Sequence, residues 1–412
     1  MVTTTRSIIK SGRLNYSKYG LDTNPFAGSV PRDDVEFVVP RGEEIHRALW
    51  TLRTGILGTS THTVVVGGYG NGKTHLLKYL KHLVNEEASE SDRRNLAIYV
   101  HSPGENFRQL YSTVMSSLGH HFVQEMVWRY LGFICLRHEG LLQLKDNHKL
   151  ALKKDGRNLK KIVEKGDLLL SNIINKAKDE LLQKIKLLDY ATAILHIVFD
   201  EYSFLAWKWL TAEDMPYDQR KELGLSMSIN NDERALRAFL SLQALLEEAG
   251  YGLLVLLIDE FEVIVSLPER NRQKVLNEIR HLIDSLPSNL CIFLACAPEA
   301  WRIVLEHYHA FLERFTHTVF LTPLNLVQTE QLIVAYLNGA RQKADHKSPA
   351  PFSPEAIELI HKMSVGNVRT TLKLCQIAVD LGLMYDLQDL RGEVFQSSLR
   401  RLLEPPQMGS DS

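Results

Sequence analysis

The sequence has little of what marks an exported, membrane-spanning or zinc-binding protein. Its four cysteines among 412 residues have neither the density of a disulfide framework nor metal-ligand spacing. The apolar runs fall far short of the about 20 residues that a membrane helix needs. The amino terminus has no apolar signal-peptide core. We therefore expect a cytoplasmic protein without a membrane partner.

An excess of charge of either sign is also missing. Lys and Arg total 48 and Asp and Glu total 49, which gives a net charge of −1. A nucleic-acid partner would have to be bound by a local basic patch, because the overall field is close to neutral. The hydrophobic fraction of 45% and the charged fraction of 24% exclude a disordered or fibrous chain. The length suits two or three packed units.

What the sequence does contain is an alternation of strand-like and helical segments. The strand-like runs are residues 63–66, 96–100, 253–258, 291–295 and 318–321. Amphipathic helical runs alternate with them at residues 43–57, 73–84, 272–285 and 299–307. Such alternation predicts an α/β fold with a parallel sheet that is covered on both faces.

Two long regions show helical patterns only. The first runs from about residue 124 to residue 235, and within it the apolar residues of 170–188 are predicted to form one face of a single helix. Its aromatic side chains Tyr202, Phe204, Trp207 and Trp209 are predicted to belong to the core, in preference to the alternative of a base-stacking platform. The second helical region begins at residue 329.

The strongest motif is a glycine-rich loop between the first strand and the next helix. It reads Gly67, Gly68, Tyr69, Gly70, Asn71, Gly72, Lys73, Thr74 and is followed by His75. Glycines let successive backbone N–H groups surround phosphate oxygens, and the helix presents its positive N-terminus to them. In this motif the lysine reaches the β- and γ-phosphates and the Thr74 hydroxyl binds Mg²⁺.

A second motif follows the strand at residues 253–258. Asp259 and Glu260 are delivered at the carboxyl end of that strand, where doubly wound sheets bind their ligands. We expect Asp259 to hold Mg²⁺ through water and Glu260 to polarise the attacking water as a general base.

With both motifs in place, the chain resembles the AAA+ ATPases, close to the branch of origin-recognition and replication-initiator proteins. The resemblance covers roughly residues 22–115 and 250–385. It implies ATP and Mg²⁺ as cofactors and a five-stranded parallel sheet with flanking helices, a large helical insert and an all-helical C-terminal lid. Residues 68–77 are also similar to ATP-binding proteins of BREX-type phage-defence loci.

Further residues acquire roles only through this resemblance. The segment Asn24-Pro25-Phe26, followed by Val39-Pro40-Arg41 and by Glu44 before a helix, resembles the arm that packs against adenine in that branch. Arg314 stands before the last strand, where the family carries an arginine finger that acts on the phosphate of the neighbouring protomer. Arg369 begins a lid helix, like the second sensor of the γ-phosphate.

The chain departs from the family pattern at two points. The strand at residues 291–295 leads into Cys296 and not into a polar residue that orients water, so hydrolysis is expected to be slow. Asp259 follows Lys73 by 186 positions, far more than a compact core needs, which predicts an inserted helical subdomain. The predicted domains are an N-terminal arm (1–40), two core parts (41–123 and 236–322), the insert (124–235), a lid (323–403) and a flexible tail (404–412).

The insert carries a local excess of positive charge. Residues 145–186 contain twelve Lys and Arg against six Asp and Glu, a net charge of +6. This stretch is either a footprint for the phosphate backbone of duplex DNA or a solvated face of the insert.

Two hypotheses on function follow. The first is an ATPase that assembles through ATP as a homo-oligomer and acts on DNA or a DNA-bound complex, and the second is an ATP-switch adaptor that recruits a protein effector with little turnover.

Overall fold

The computed structural model describes residues 14–26, 40–87, 94–140, 144–341 and 348–392. Most of the predicted arm and the whole of the predicted tail lie outside these residues. The α-helices are, in chain order, α1 (Gly42–Ile56), α2 (Lys73–Glu87), α3 (Phe107–Leu118), α4 (His120–Arg137), α5 (Asp146–Lys154), α6 (Leu159–Glu164), α7 (Leu170–Leu182), α8 (Leu188–His196), α9 (Asp200–Leu210), α10 (Tyr217–Glu222), α11 (Asp232–Glu248), α12 (Glu262–Ser266), α13 (Glu269–Ser285), α14 (Pro298–His307), α15 (His309–Leu312), α16 (Leu326–Asn338), α17 (Pro354–Ser364) and α18 (Val368–Met384).

A five-stranded sheet organises the α/β part. Its strands are β1 (His62–Gly67), β2 (Arg94–Val100), β3 (Tyr251–Ile258), β4 (Leu290–Cys296) and β5 (His317–Leu321). Their order is β2-β3-β4-β1-β5, and the β2–β3, β3–β4 and β1–β4 pairs are parallel. All seven residues of β4 are buried, as a central strand covered on both faces requires. The predicted fold class is confirmed.

The chain divides into two compact units. One contains the described residues within Met1–His46, Gly67–Tyr79 and Phe320–Ser412, and the other contains those within Arg47–Val66 and Leu80–Val319. In the second unit the sheet and the inserted helices share one hydrophobic core, which includes Tyr111, Tyr130 and Phe239 at 0% exposure. The described helices of the predicted insert therefore share their core with the sheet.

The insert differs from the prediction in two details. Residues 170–188 do not form one helix, because α7 ends at Leu182 and α8 begins at Leu188. The intervening turn buries Ile185 and lets the Lys186 N–H bond the Ser241 hydroxyl at 3.1 Å. The core assignment is wrong for Phe204, which is 74% exposed. It lies five residues before the buried Trp209, and this spacing places it about 140° around α9 from that side chain.

The first unit has its own core, built from α16, α17, α18 and the N-terminal segment. Phe26 is buried and stacks on Tyr336 at 5.9 Å between ring centroids. The Asn24 side chain donates to the Gln376 carbonyl at 3.2 Å and to Asp380 at 2.9 Å. Asn24 and Phe26 thus fix the N-terminal segment to the lid helices.

Across the described residues, no helix combines the length and the apolar character that a bilayer crossing requires.

Candidate functional site

The loop between β1 and α2 has the backbone that its glycines predict. Gly70 and Gly72 have φ angles of 78° and 94°, in the left-handed region that favours glycine. A Cβ on Gly67 would lie 3.0 Å from the Leu321 Cβ. The Asn71 N–H closes a turn on the Gly68 carbonyl at 3.2 Å. The spacing of the motif is therefore a requirement of this loop conformation.

Lys73 and the start of α2 complete the phosphate-binding geometry. The Lys73 ammonium donates to the Gly67 carbonyl at 2.7 Å and to the Gly68 carbonyl at 3.4 Å. The first turn of α2 contains no acidic residue, so its N-terminal N–H groups and positive dipole keep their affinity for an anion. Thr74 lies in the same turn. His75 is buried, and desolvation together with the charge of Lys78 lowers its pKa to about 4, so its ring is neutral at pH 7.

Two buried side chains hold the loop in place. The Arg41 guanidinium, 3% exposed, donates to the Asn71 carbonyl at 3.2 Å and to the Thr322 carbonyl at 2.6 Å. The Asn71 carboxamide donates to the Leu321 carbonyl at 3.0 Å. Burial lowers the pKa of Arg41, while the neighbouring Glu44 opposes that shift. Arg41 is therefore positioned to support the loop, and a contact with adenine remains a prediction.

The lid helix α18 begins directly against the loop. Asn367 caps α18 by accepting the Thr370 N–H, and its amide donates to the Tyr69 carbonyl at 2.7 Å. The Arg369 N–H donates to the Gly70 carbonyl at 3.1 Å. A Cβ on Gly70 would lie 2.6 Å from the Asn367 Oδ1, so this docking depends on glycine. Sequence reasoning gave Asn367 no role of its own, although an Asn just before a helical run is a capping signal.

The Arg369 side chain lies over the loop tyrosine. Its guanidinium carbon is 4.4 Å from the centroid of the Tyr69 ring, and the side chain also bonds the Tyr69 hydroxyl. Tyr69 remains 79% exposed. The predicted sensor is thus engaged by an aromatic residue of the phosphate loop itself.

In the second unit, the two carboxylates after β3 are held by residues from the end of β2. Asp259, 2% exposed, accepts the Tyr99 hydroxyl at 3.0 Å and the Glu260 N–H at 2.9 Å. Glu260 has a φ of 50°, a left-handed conformation that non-glycine residues rarely adopt. Such strain clusters at functional sites.

His101 adds a second neighbour to this pair. Its Nε2 is 3.9 Å from the Glu260 carboxylate, whose side chain is 49% exposed. We missed Tyr99 and His101 in the sequence, since neither stands in a motif. The signal lies in the topology: β2 and β3 are adjacent, and Val100 pairs with Ile258, so the residues that end both strands meet.

Arg314 is occupied by an acid of its own chain. Its Nε and Nη2 donate to the two carboxylate oxygens of Asp284 at 2.9 and 3.0 Å. This bidentate contact raises the pKa of Arg314 and lowers the pKa of Asp284. The arginine therefore has a defined intramolecular partner in α13.

The metal prediction rests on oxygen ligands. Among the described residues no group of three or more His, Cys, Asp or Glu could hold a metal ion. Mg²⁺ keeps several waters and uses one or two carboxylates with substrate phosphates. The hydroxyl of Thr74 and the carboxylate of Asp259 are suitable oxygen ligands for it.

The basic segment of the insert packs closely against α4, and part of its positive charge is neutralised by ion pairs. A Cβ on Gly132 of α4 would lie 2.3 Å from the Gly156 carbonyl oxygen, so the two backbones touch. Arg157 pairs with Asp155 and Glu125, Lys149 with Glu139, and Lys184 with Glu248. Glu125, Glu139 and Glu248 lie outside the counted stretch, so the +6 overstates its field.

Comparisons with known proteins support the resemblance. The model of the family "BREX system ATP-binding protein BrxC/D" matches residues 200–338, from α9 to the end of α16. No curated protein matches the chain.

Solved structures match over most of the chain. The Aeropyrum pernix ORC1 protein in complex with DNA has a TM-score of 0.51 at 12% identity, over 92% of this chain and 68% of that one. The Aeropyrum pernix ORC2 protein matches with a TM-score of 0.51 at 14% identity. Its ADPNP–ADP form aligns over 90% of this chain and 70% of that one, and its ADP form over 92% and 73%. The chain thus has the fold of these AAA+ proteins, and the predicted resemblance to the ORC branch and to BREX ATP-binding proteins is confirmed.

Proposed function

We propose that this protein binds ATP with Mg²⁺ on the loop from Gly67 to Thr74 and hydrolyses it slowly. The observation that carries the proposal is the conformation of that loop, with two left-handed glycines, the Lys73 ammonium at its carbonyls and the N-terminus of α2 behind it. Each of these features favours a polyphosphate anion. The similarity to ATP-binding BrxC/D proteins and to nucleotide-bound ORC2 supports the choice of nucleotide.

The reaction needs a metal, a base and a charge sensor. We assign the metal to Thr74 and Asp259, the base to Glu260 and the sensor to Arg369. The bonds from Tyr99 and from the Glu260 N–H fix the Asp259 carboxylate, which would hold the metal through water. Mg²⁺, when bound, would supply charge neutralisation on the phosphates, and Glu260 would accept a proton from the attacking water.

Slow turnover follows from the groups that are missing or occupied. β4 ends in the buried Cys296, and Arg314 is bound by Asp284. An arginine finger in trans would first have to leave that carboxylate. In an assembly, the phosphate of a neighbouring protomer would compete with Asp284 for Arg314, which would couple oligomer formation to turnover.

The same observation supports a second candidate, an ATP-switch adaptor. If Arg314 stays on Asp284, the nucleotide acts through the lid, where Asn367 and Arg369 contact the loop. The effector would then be a protein, recruited without rapid hydrolysis.

We further propose that the protein acts on DNA through the exposed lysines of the insert. Lys153 and Lys154 end α5, and Lys160 and Lys161 lie on α6, either side of the anchored Gly156. Lysines at the C-terminal end of a helix also stabilise that helix through its dipole, and this is the competing explanation for Lys153 and Lys154. The similarity of residues 200–338 to BREX proteins supports a role in a phage-defence system of that kind.

ATP binding is tested by titrating a fluorescent ATP analogue into the wild type, Lys73→Ala and a matched control, Lys373→Ala, whose lysine is exposed on α18. We expect binding to be lost in Lys73→Ala only, because the β- and γ-phosphates lose their cation. Glu260→Gln should bind ATP normally and fail to hydrolyse it. Normal turnover by Glu260→Gln would remove that residue from the catalytic role.

DNA binding is tested with a variant in which Lys153, Lys154, Lys160 and Lys161 are replaced by Glu. Duplex affinity should fall for all sequences alike, and the log–log salt slope should become shallower by about 0.9 for each lost phosphate contact. Lys221→Glu, an exposed lysine of α10, is the control. An unchanged affinity and slope would favour the adaptor.

A further inference from the structure

A cavity of about 460 Å³ lies over strand β2 in the second unit. The outer edge of β2 forms its floor, and α2, the end of α3, the start of α4 and Tyr251 form its walls. A volume of this size suits a drug-sized or nucleotide-sized ligand. Among the described residues that line the cavity, Lys81 and Arg94 are cationic and none is acidic.

A third cation stands behind the cavity wall. The Arg129 guanidinium carbon is 5.9 Å from the Tyr251 ring centroid and 5.5 Å from that of Phe133. Its Nε and Nη1 atoms are buried, and no described group accepts a hydrogen bond from them. Burial first, and then the like charge of Arg94, lowers the pKa of Arg129. An anion in the cavity would relieve this repulsion.

Two aromatic rings supply a second type of contact. Phe122 and Tyr251 both line the cavity, with ring centroids 5.9 Å apart and planes inclined by 56°. Both side chains are partly exposed. Cations beside aromatic rings are the combination that binds single-stranded nucleic acid, because every base has a face that stacks on an aromatic side chain.

The edge of β2 argues against an extended peptide as the ligand. The Ala97 N–H donates to the Asn85 Oδ1 at 2.8 Å, and the Asn85 amide donates to the Ala97 carbonyl at 3.2 Å. Asn85 therefore already satisfies the middle of the strand edge that an added strand would need. A nucleotide requires none of these backbone groups.

We propose that this cavity binds one base and its phosphate within a single-stranded nucleic acid, with the base on Phe122 and Tyr251 and the phosphate between Lys81 and Arg94. The proposal rests on the proposed action on DNA and deepens it by naming the strand form. It does not depend on the ATP-binding loop.

The test measures binding of a labelled short oligothymidylate by fluorescence anisotropy over a range of salt concentrations. Phe122→Leu should weaken binding about 5- to 100-fold, since stacking on one aromatic residue is lost. Arg94→Gln should weaken it and make the salt slope shallower by about 0.7, the value for one single-strand phosphate contact. Arg270→Gln, an exposed arginine of α13, should change neither quantity.

Two further measurements keep the outcome clear if Phe122→Leu folds poorly. Phe122→Tyr retains a ring and should retain affinity. An oligonucleotide that carries 5-iodouracil should cross-link to Phe122 or Tyr251 of the wild type on irradiation. The Lys73→Ala background separates the sites, because it removes nucleotide binding at the loop and should leave oligothymidylate binding intact.

Several results would overturn the proposal. Equal affinity of wild type, Arg94→Gln and Phe122→Leu would do so, as would cross-links elsewhere. If thymidine monophosphate competed as well as the strand, the cavity would be a site for free nucleotides. Binding of an oligoglutamate peptide that depends on Arg94 but not on Phe122 would identify a protein ligand. Loss of oligothymidylate binding in the lysine variant, with full binding in Arg94→Gln and Phe122→Leu, would place the single strand on the insert.

Discussion

Arg369 and Arg314 come from two regions that the same family resemblance singled out, and the structure holds them in different ways. Arg369 lies against the exposed ring of Tyr69, a contact worth about 0.5–1 kcal/mol at exposed sites. Arg314 makes a bidentate contact with Asp284, which fixes its direction as well as its charge. Arg369, the predicted sensor, therefore lies at the loop, whereas Arg314, the predicted finger, is bound to a carboxylate of its own chain.

The largest expected effect concerns Arg314. Arg314→Ala should leave ATP binding unchanged and reduce turnover, by up to about 10³–10⁵ if the arginine acts as fingers do in related GTPase reactions. Mixing this variant with Lys73→Ala should restore part of the activity, because each protein supplies the group that the other lacks. Steady-state phosphate release at several protein concentrations measures both effects.

The comparison fails if Arg314 is only a surface residue. In that case turnover per protomer would be independent of protein concentration, and the mixture would show no more activity than the sum of its parts. Arg302→Ala, an exposed arginine of α14, is the matched control.

A substitution of Asp284 offers a sharper test, because it should change turnover in the direction opposite to Arg314→Ala. Asp284→Asn removes the charge that stores Arg314 and should raise turnover several-fold at concentrations that permit assembly. Glu313→Gln serves as a control, since Glu313 touches only Nη1 of the same arginine, at 3.2 Å. A decrease in turnover would mean that Asp284 orients the finger for use and does not withhold it.

A smaller effect is expected at the sensor. Tyr69→Leu removes the ring under Arg369 and should change ATP affinity by about two- to fivefold, in line with a cation–π contact at an exposed site. Tyr69→Phe keeps the ring and should lie between this variant and the wild type. Titration with the fluorescent ATP analogue gives the values, and identical affinities would show that Tyr69 does not hold the arginine.

The smallest effect is a dependence of stability on pH. Arg314 lowers the pKa of Asp284, so the pair stabilises the fold above the ordinary carboxyl pKa, and this contribution is lost as pH falls through the lowered value. At neutral pH the contribution should be about 0.2–1 kcal/mol, because the pair is partly exposed. The free energies of unfolding of wild type and Arg314→Ala should converge below about pH 4. A difference that persists at lower pH would point to packing.

Much of the fold could be predicted because its signals are local. Each strand of the sheet appears as a short apolar run, and the loop glycines identify the turn between β1 and α2 without any knowledge of tertiary contacts. The break between α7 and α8 could not be predicted, since Ile185 continues the helical period and the turn makes contacts with distant residues, such as the bond from the Lys186 N–H to the Ser241 hydroxyl.

Hydrogen-bond partners from distant parts of the chain could not be predicted from the sequence either. Tyr99 and Asp259 are 160 positions apart, and Asn367 and Tyr69 are 298 apart. The net charge of +6 on residues 145–186 overstates the local field for the same reason, because the acids Glu125 and Glu248 that pair with this stretch lie outside it. Sequence reasoning named the chemically obvious residues and missed those that position them.

The Asn85 side chain on the edge of β2 also bears on how the protein behaves at high concentration. An open strand edge is a template on which a second molecule can pair, and edge pairing of this kind leads to aggregation. By occupying both backbone groups of Ala97, one carboxamide interrupts that template at its centre. We therefore expect this residue to limit edge-to-edge pairing at a position where a charged side chain would alter the cavity beside it.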